Sequence, residues 1–154
     1  MKRIPDTPSI FWMSLFPATY AAHILEEWWA DFPGHLLRTQ GIVLSAFKFE
    51  VLQIFGLILM IVGVILSRRL QFPKQMLTIL ATSVLGNSLA HLKGSYLYGG
   101  YEPGLLTSIV MWLPLGTFTL IKLWQQVPIT RYLLGVAIGI AICVAVQILA
   151  MWKF

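Results

Sequence analysis

Five long apolar segments constrain this chain more than any other feature of its sequence. Each is close to the roughly 20 residues that an α-helix needs to cross about 30 Å of hydrocarbon. Hydrophobic residues make up 58% of the chain and charged residues only 11%, whereas a soluble domain carries about 25% charged residues. The sequence therefore predicts an all-α polytopic membrane protein. We expect one domain over residues 1–154, a bundle of five transmembrane helices at about 9–29, 44–66, 74–92, 104–124 and 132–152.

The basic residues give a net charge of +5 but are scattered at helix ends, so they do not form the patch that nucleic acid requires. These basic residues instead indicate the orientation of the chain in the membrane, because cytoplasmic loops carry an excess of Lys and Arg. We expect the N-terminus to be cytoplasmic and the C-terminus to lie on the other side. This orientation places the following residues in the cytoplasm: Lys2, Arg3, Arg68, Arg69, Lys74, Lys122 and Arg131. The other side then holds Arg38, Lys48, Lys93 and Lys153.

The stretch His23-Ile24-Leu25-Glu26-Glu27 lies near the end of the first predicted helix. His23 can share a helix face with either glutamate, since residues three and four apart are neighbours on a helix. The two glutamates diverge by roughly 100° around the helix axis. Ionisable groups at membrane depth are costly and usually face a partner or a polar cavity. The stretch therefore predicts a functional site.

An up-and-down bundle brings further polar residues to the same end. Five of the six acidic residues and all three histidines are expected there, and only Asp6 lies at the opposite end. Asn87 and His91 are four apart, so Asn87 is placed to orient a histidine. Glu102 precedes the fourth helix, whose positive end favours a carboxylate. Glu50 is either a ligand or a partner of a rim lysine, and Asp31 and His35 are expected in a solvated loop.

Three elements of this pattern resemble a known family. The motif His23-x-x-Glu26-Glu27, the separate His91, and Tyr101-x-Pro103-Gly104 are similar to the HXXEE family of small bacterial membrane proteins. The resemblance extends from the first helix to the start of the fourth. It implies a bacterial inner-membrane location and that these residues act together, with Tyr101, Pro103 and Gly104 in support, but it supplies no chemistry.

The residue types favour a divalent metal such as zinc, iron or manganese, because imidazole and carboxylate are ligands of these ions. The predicted ligands are His23, Glu26, Glu27 and His91, and the predicted catalytic carboxylates are Glu26, Glu27 and Glu102. Asn87 and Glu50 are expected to support them. A hydrolase or oxidoreductase acting on a membrane lipid or a hydrophobic small molecule fits a site at the non-cytoplasmic interface.

Two alternatives remain open at this point. Histidine and glutamate in an apolar pocket can also perform metal-free acid–base chemistry, as in an isomerase. A non-enzymatic role in binding a hydrophobic ligand or an ion is the second alternative. A homodimer is as compatible with this length as a monomer.

Overall fold

The computed structural model describes residues 7–152, and all of its regular structure in that range is helical. The six helices are α1 (Ile10–Trp29), α2 (Phe32–Gln40), α3 (Ala46–Arg69), α4 (Pro73–Tyr98), α5 (Leu105–Trp124) and α6 (Ile129–Met151). The predicted all-α class is confirmed. Four residues used above for topology or charge lie outside the described residues, namely Lys2, Arg3, Asp6 and Lys153.

Local sequence explains where several helices begin. Ser9 and Ser45 have extended backbones, and their hydroxyls accept hydrogen bonds from the amides of Trp12 and Lys48, both at 3.2 Å. A serine in this position satisfies an amide that would otherwise lack a partner in the first turn. Helix α4 begins with Pro73, where the missing proline N–H costs nothing. These signals allow short connections between long helices.

The structure contains a helix that the sequence did not predict. The segment expected to be a loop, which includes His35, forms α2 between α1 and α3. Asp31 caps its start through a hydrogen bond from the Gly34 amide at 3.1 Å, and Gly41 ends it with a φ of 67°. At nine residues the helix is too short to show a clear apolar period. Its Leu36 packs with Leu44 and Phe49 in a small separate core.

Helix α4 is the centre of the bundle. It packs against α1, α3, α5 and α6, and ten of its residues are buried. The main core surrounds it with side chains from every other helix except α2. This core consists of Met13, Phe16, Val64, Leu77, Leu80, Ala81, Val84, Trp112, Leu123, Val127 and Tyr132.

Three helices, α3, α5 and α6, are long and apolar enough to cross a membrane. Only 11% of the most apolar stretch is buried in α3 and in α6, so most of their apolar surface faces outward, as lipid-facing helices require. Within residues 7–152, length and composition therefore support three of the five predicted membrane spans. Helices α1 and α4 have sufficient length but carry too many polar residues, because their inner faces build the polar cluster described below.

Two glycines bring α6 close to α4. Gly135 and Gly139 are buried, and a Cβ atom added at Gly139 would lie 2.6 Å from the Thr82 Cβ and 2.8 Å from the Ile79 carbonyl oxygen. We expect Gly139→Ala to push the helices apart and to lower the free energy of unfolding by about 1–3 kcal/mol. Thermal unfolding in detergent, followed by circular dichroism, measures this change.

Gly63→Ala is the matched control. A Cβ atom there meets only the flexible end of Met76 at 3.2 Å, so the gain in helix propensity has little to oppose it. Equal melting temperatures for the two variants would contradict close packing at Gly139.

Candidate metal centre

Helix α1 contributes His23 and Glu27 to one buried face. Because they are four residues apart, the two side chains lie one above the other, with the His23 Nε2 atom 3.5 Å from the Glu27 Oε1 atom. Their exposed fractions are 1% and 3%. This face points toward α4.

Helix α4 completes the group with His91 and Asn87. The His91 Nε2 atom lies 3.4 Å from the same Glu27 oxygen. The Asn87 amide nitrogen lies 3.3 Å from the Nε2 atom of His23 and 3.2 Å from that of His91. Both imidazoles therefore direct their Nε2 atoms toward one carboxylate oxygen and one amide.

The three side chains His23, Glu27 and His91 have the geometry of a metal site. Their ligand atoms all lie within 4.8 Å of one another. Two ligand atoms about 2.1 Å from a tetrahedral ion are about 3.4 Å apart. The nitrogen–oxygen distances of 3.5 and 3.4 Å match that spacing. Two imidazoles and one carboxylate also form the donor set of many catalytic zinc and non-haem iron centres.

Electrostatics also favour a cation at this position. Among residues 7–152, the basic side chains within 4.0 Å of the Glu27 carboxylate are two histidines, which are charged only when protonated, and no lysine or arginine. A buried carboxylate without a permanent positive partner carries a large desolvation penalty. A divalent ion between the three groups would neutralise the charge and complete the site.

A chain of aromatic and amide groups orients the ligands from the other side. The Gln53 side-chain nitrogen donates to the second oxygen of Glu27, and Tyr20 donates to the Gln53 oxygen at 2.8 Å. The Trp112 ring stacks on His23 with ring centroids 3.8 Å apart and on Tyr20 at 5.9 Å. The sequence predicted no role in the site for Gln53 or for Trp112.

A π-helical turn at Ser108–Trp112 interrupts α5 near this stack. Such a turn shifts the following residues around the helix axis and is frequent at functional sites. Trp112 is the last residue of the turn. Its side chain is 1% exposed and lies against the His23 ring. The turn therefore helps to aim the indole ring at the site.

Glu26 lies outside the group of ligand atoms, although it was predicted as a ligand and as a catalytic residue. Its carboxylate accepts hydrogen bonds from the amides of Leu106 and Thr107, at 2.9 and 2.7 Å, at the start of α5. The Tyr101 hydroxyl donates to it at 2.7 Å. The two glutamates of the motif thus face different partners, as their 100° separation requires.

The turn before α5 brings three predicted residues against the site. Glu102 is buried with Oε1 3.7 Å from the His91 Nδ1 atom. Burial raises the pKa of Glu102 to about 7, and the negative charge of Glu27 adds to the rise. Pro103 is fully buried, and Gly104 lies directly beneath both imidazoles with a φ of 89°.

Two other polar residues are not part of this centre. Glu50 is exposed on α3. His35 is half-buried on α2, where it lines a cleft of about 20 Å³ next to Glu102. Phe32 of the same helix covers His91, with ring centroids 5.8 Å apart. Helix α2 therefore covers the His91 side of the site through Phe32.

Comparison with known proteins agrees with the motif. The family described as "Protein of unknown function with HXXEE motif" matches residues 14–119, which include the ligand cluster, Asn87, the Gly104 turn and Thr107. The predicted resemblance to this family is confirmed. No curated protein and no solved structure matches the chain.

Proposed function

This chain belongs to the HXXEE family, whose function is unknown, and we propose that it is a membrane-embedded, metal-dependent enzyme acting on a lipidic or hydrophobic substrate. The observation that carries the proposal is the convergence of the ligand atoms of His23, Glu27 and His91 within 4.8 Å in a buried setting. Zinc, iron and manganese all suit this donor set.

The metal would supply Lewis acidity and an activated water if it is zinc, or oxidation chemistry if it is iron. The protein groups would have separate roles. Glu27 and the two histidines would hold the ion, and Gln53 fixes the carboxylate of Glu27. Glu102, next to His91, is the free carboxyl group best placed to exchange a proton with a bound substrate.

The surroundings of the site support a membrane substrate. Near the centre, α1 exposes Leu25, Trp28 and Trp29, and α5 exposes Leu106. Tryptophan and other apolar side chains in such positions are typical of the boundary between lipid and water. A substrate that lies in this boundary would approach the site without leaving the bilayer.

The proposed topology has five membrane spans, of which α3, α5 and α6 are three. We propose that α1 and α4 also cross the bilayer, with their polar faces turned inward toward each other. The described basic residues favour a cytoplasmic face with Arg68, Arg69, Lys74, Lys122 and Arg131, against Arg38, Lys48 and Lys93 on the site side. The metal centre would then lie at the non-cytoplasmic end of a bacterial inner-membrane protein.

Elemental analysis of detergent-purified protein tests the metal. We expect about one zinc, iron or manganese per chain in the wild type and less than a tenth of that in a His23→Ala/His91→Ala double variant, since two ligands are lost. His35→Ala is the matched control and is expected to retain the metal. If the wild type is purified without chelators, takes up none of the three ions and still has activity, the metal proposal is wrong. Metal-free acid–base chemistry would then be favoured.

A second experiment tests the enzymatic part. Wild-type protein and Glu27→Gln are reconstituted in vesicles of bacterial lipid extract, and the lipids are compared by mass spectrometry. A lipid product that forms only with the metal-loaded wild type supports an enzyme. Full metal loading without any change in lipids would favour the non-enzymatic binding role.

A further inference from the structure

Glu26 is surrounded by hydrogen-bond donors. Besides the two amides and Tyr101, the Thr107 hydroxyl lies 2.5 Å from the Glu26 Oε2 atom. Backbone amides only donate, and the positive end of α5 favours a negative charge, so Glu26 is an ionised acceptor. An ionised carboxylate has no hydrogen to give. The hydroxyl hydrogen of Thr107 therefore points to Glu26.

This direction determines the protonation of His23. The His23 Nδ1 atom lies 2.7 Å from the Thr107 oxygen. Since the only hydroxyl hydrogen is directed to Glu26, the oxygen can only accept, and the hydrogen of this bond must belong to Nδ1. The Asn87 amide nitrogen, a donor, lies 3.3 Å from Nε2, so a second hydrogen there would set two donors against each other. The imidazole is therefore neutral with its one hydrogen on Nδ1, and the Nε2 atom is left with its lone pair.

The groups around Nε2 agree with this assignment. The Asn87 amide nitrogen, a donor, lies 3.3 Å from His23 Nε2, and the Glu27 oxygen lies 3.5 Å away. The same amide group lies 3.2 Å from His91 Nε2, so its second hydrogen is available to that ring. The His23 lone pair therefore faces the Asn87 amide and the Glu27 oxygen.

We propose that Glu26 and Thr107 are positioning residues that hold His23 in its Nδ1–H tautomer, so that the Nε2 lone pair faces Glu27 and His91. The role toward metal rests on the proposed function, whereas the tautomer does not. One glutamate of the HXXEE motif would thus bind the ion, and the other would orient the histidine through a threonine. Carboxylates commonly orient metal-bound histidines, here with a hydroxyl group interposed.

Thr107→Val is the most specific variant. Valine has nearly the shape of threonine and leaves the other three donors to Glu26 in place. It cannot accept from Nδ1–H, so we expect the hydrogen to move to Nε2 and to be donated to Glu27. Loss of such outer partners weakens metal binding by roughly 10–100-fold. Thr107→Ser keeps the hydroxyl and is expected to behave as the wild type.

Nitrogen-15 NMR of metal-free protein reports the tautomer of each histidine. We expect protonated Nδ1 at His23 in the wild type and Thr107→Ser, and protonated Nε2 in Thr107→Val. The His35 signals serve as an internal reference, because that residue lies on α2 away from Thr107. Zinc affinity, measured by competition with a chelating dye, should fall 10–100-fold in Thr107→Val and less than threefold in Thr107→Ser.

Several outcomes would overturn the proposal. Protonated Nε2 at His23 in the wild type would do so without any variant, which covers the case in which Thr107→Val does not fold. An unchanged tautomer in folded Thr107→Val would do so as well, and so would zinc affinity equal to that of the wild type. If the tautomer changes as expected but the wild type binds no metal, the positioning role stands and the metal function fails.

Discussion

Replacing Glu26 with alanine is expected to lower the free energy of unfolding by about 3 kcal/mol, the largest effect of any single substitution considered for this protein. The change removes the acceptor of the Leu106 and Thr107 amides at the start of α5. A buried donor left without a partner costs about 1–3 kcal/mol, which applies to the part-buried Thr107 amide more than to the exposed Leu106 amide. A carboxylate at a helix N-terminus contributes about 0.3–2 kcal/mol more. Glu26 is only partly buried, so the total is reduced by solvent. Thermal unfolding in detergent should show a Tm lower by roughly 5–10 °C.

Glu50→Ala is the control for Glu26→Ala, because Glu50 is an exposed carboxylate on α3 near the same end of the bundle. An exposed substitution of this kind typically changes stability by less than about 0.5 kcal/mol. If the two variants unfold at the same temperature, Glu26 does not hold the start of α5.

Gly104→Ala is expected to damage both the stability and the metal site. A side chain at a φ of 89° costs about 1–2 kcal/mol. The added Cβ atom would also lie 2.7 Å from the Cε1 atoms of both His23 and His91, which must then move apart. We expect zinc affinity to fall at least tenfold, since ligand positions must hold within about 0.5 Å. Chelator competition and thermal unfolding measure the two effects.

The control for this variant is Gly99→Ala. Gly99 has a similar φ of 69°, but a Cβ atom there would have nothing within 4 Å. It should show the backbone penalty without the loss of zinc affinity. Equal zinc affinities in Gly104→Ala and Gly99→Ala would mean that the space beneath the imidazoles is not restricted.

The sequence predicted the helices well where burial in lipid alone determines them. Segments such as 44–66 and 132–152 are predominantly apolar, and the structure forms them as α3 and α6 with shifts of a few residues. Helix α2 was not predicted because its stability comes from a capping aspartate and from the packing of Leu36 with Leu44 and Phe49 rather than from a periodic pattern. Helix α4 runs to Tyr98, beyond its predicted end at 92, because Gly99 rather than loss of apolar character stops it.

For the site, the sequence indicated which residues lie close together. It did not indicate which of them are placed to bind an ion and which position the others. His23, Glu27 and His91 were predicted as ligands, and the structure brings them together. The role of Glu26 depends on where α5 begins, which no local pattern near residue 26 contains. Thr107 gave no signal, because nothing in the local sequence distinguishes it from the other threonines of the apolar helices. Only the packing of α1 against α5 shows its contacts.

If the proposed ion binds, the burial of its three ligands would also affect the rate at which it is exchanged. His23, Glu27 and His91 are at most 3% exposed, beneath Phe32 of α2 and beside the Gly104 turn. An ion can leave only when these covering groups move, and local openings of this kind take microseconds to seconds or longer. Loading and removal would therefore depend on the movement of Phe32 and the Gly104 turn as well as on the strength of the ligands. An ion that entered while the bundle assembled would then exchange slowly.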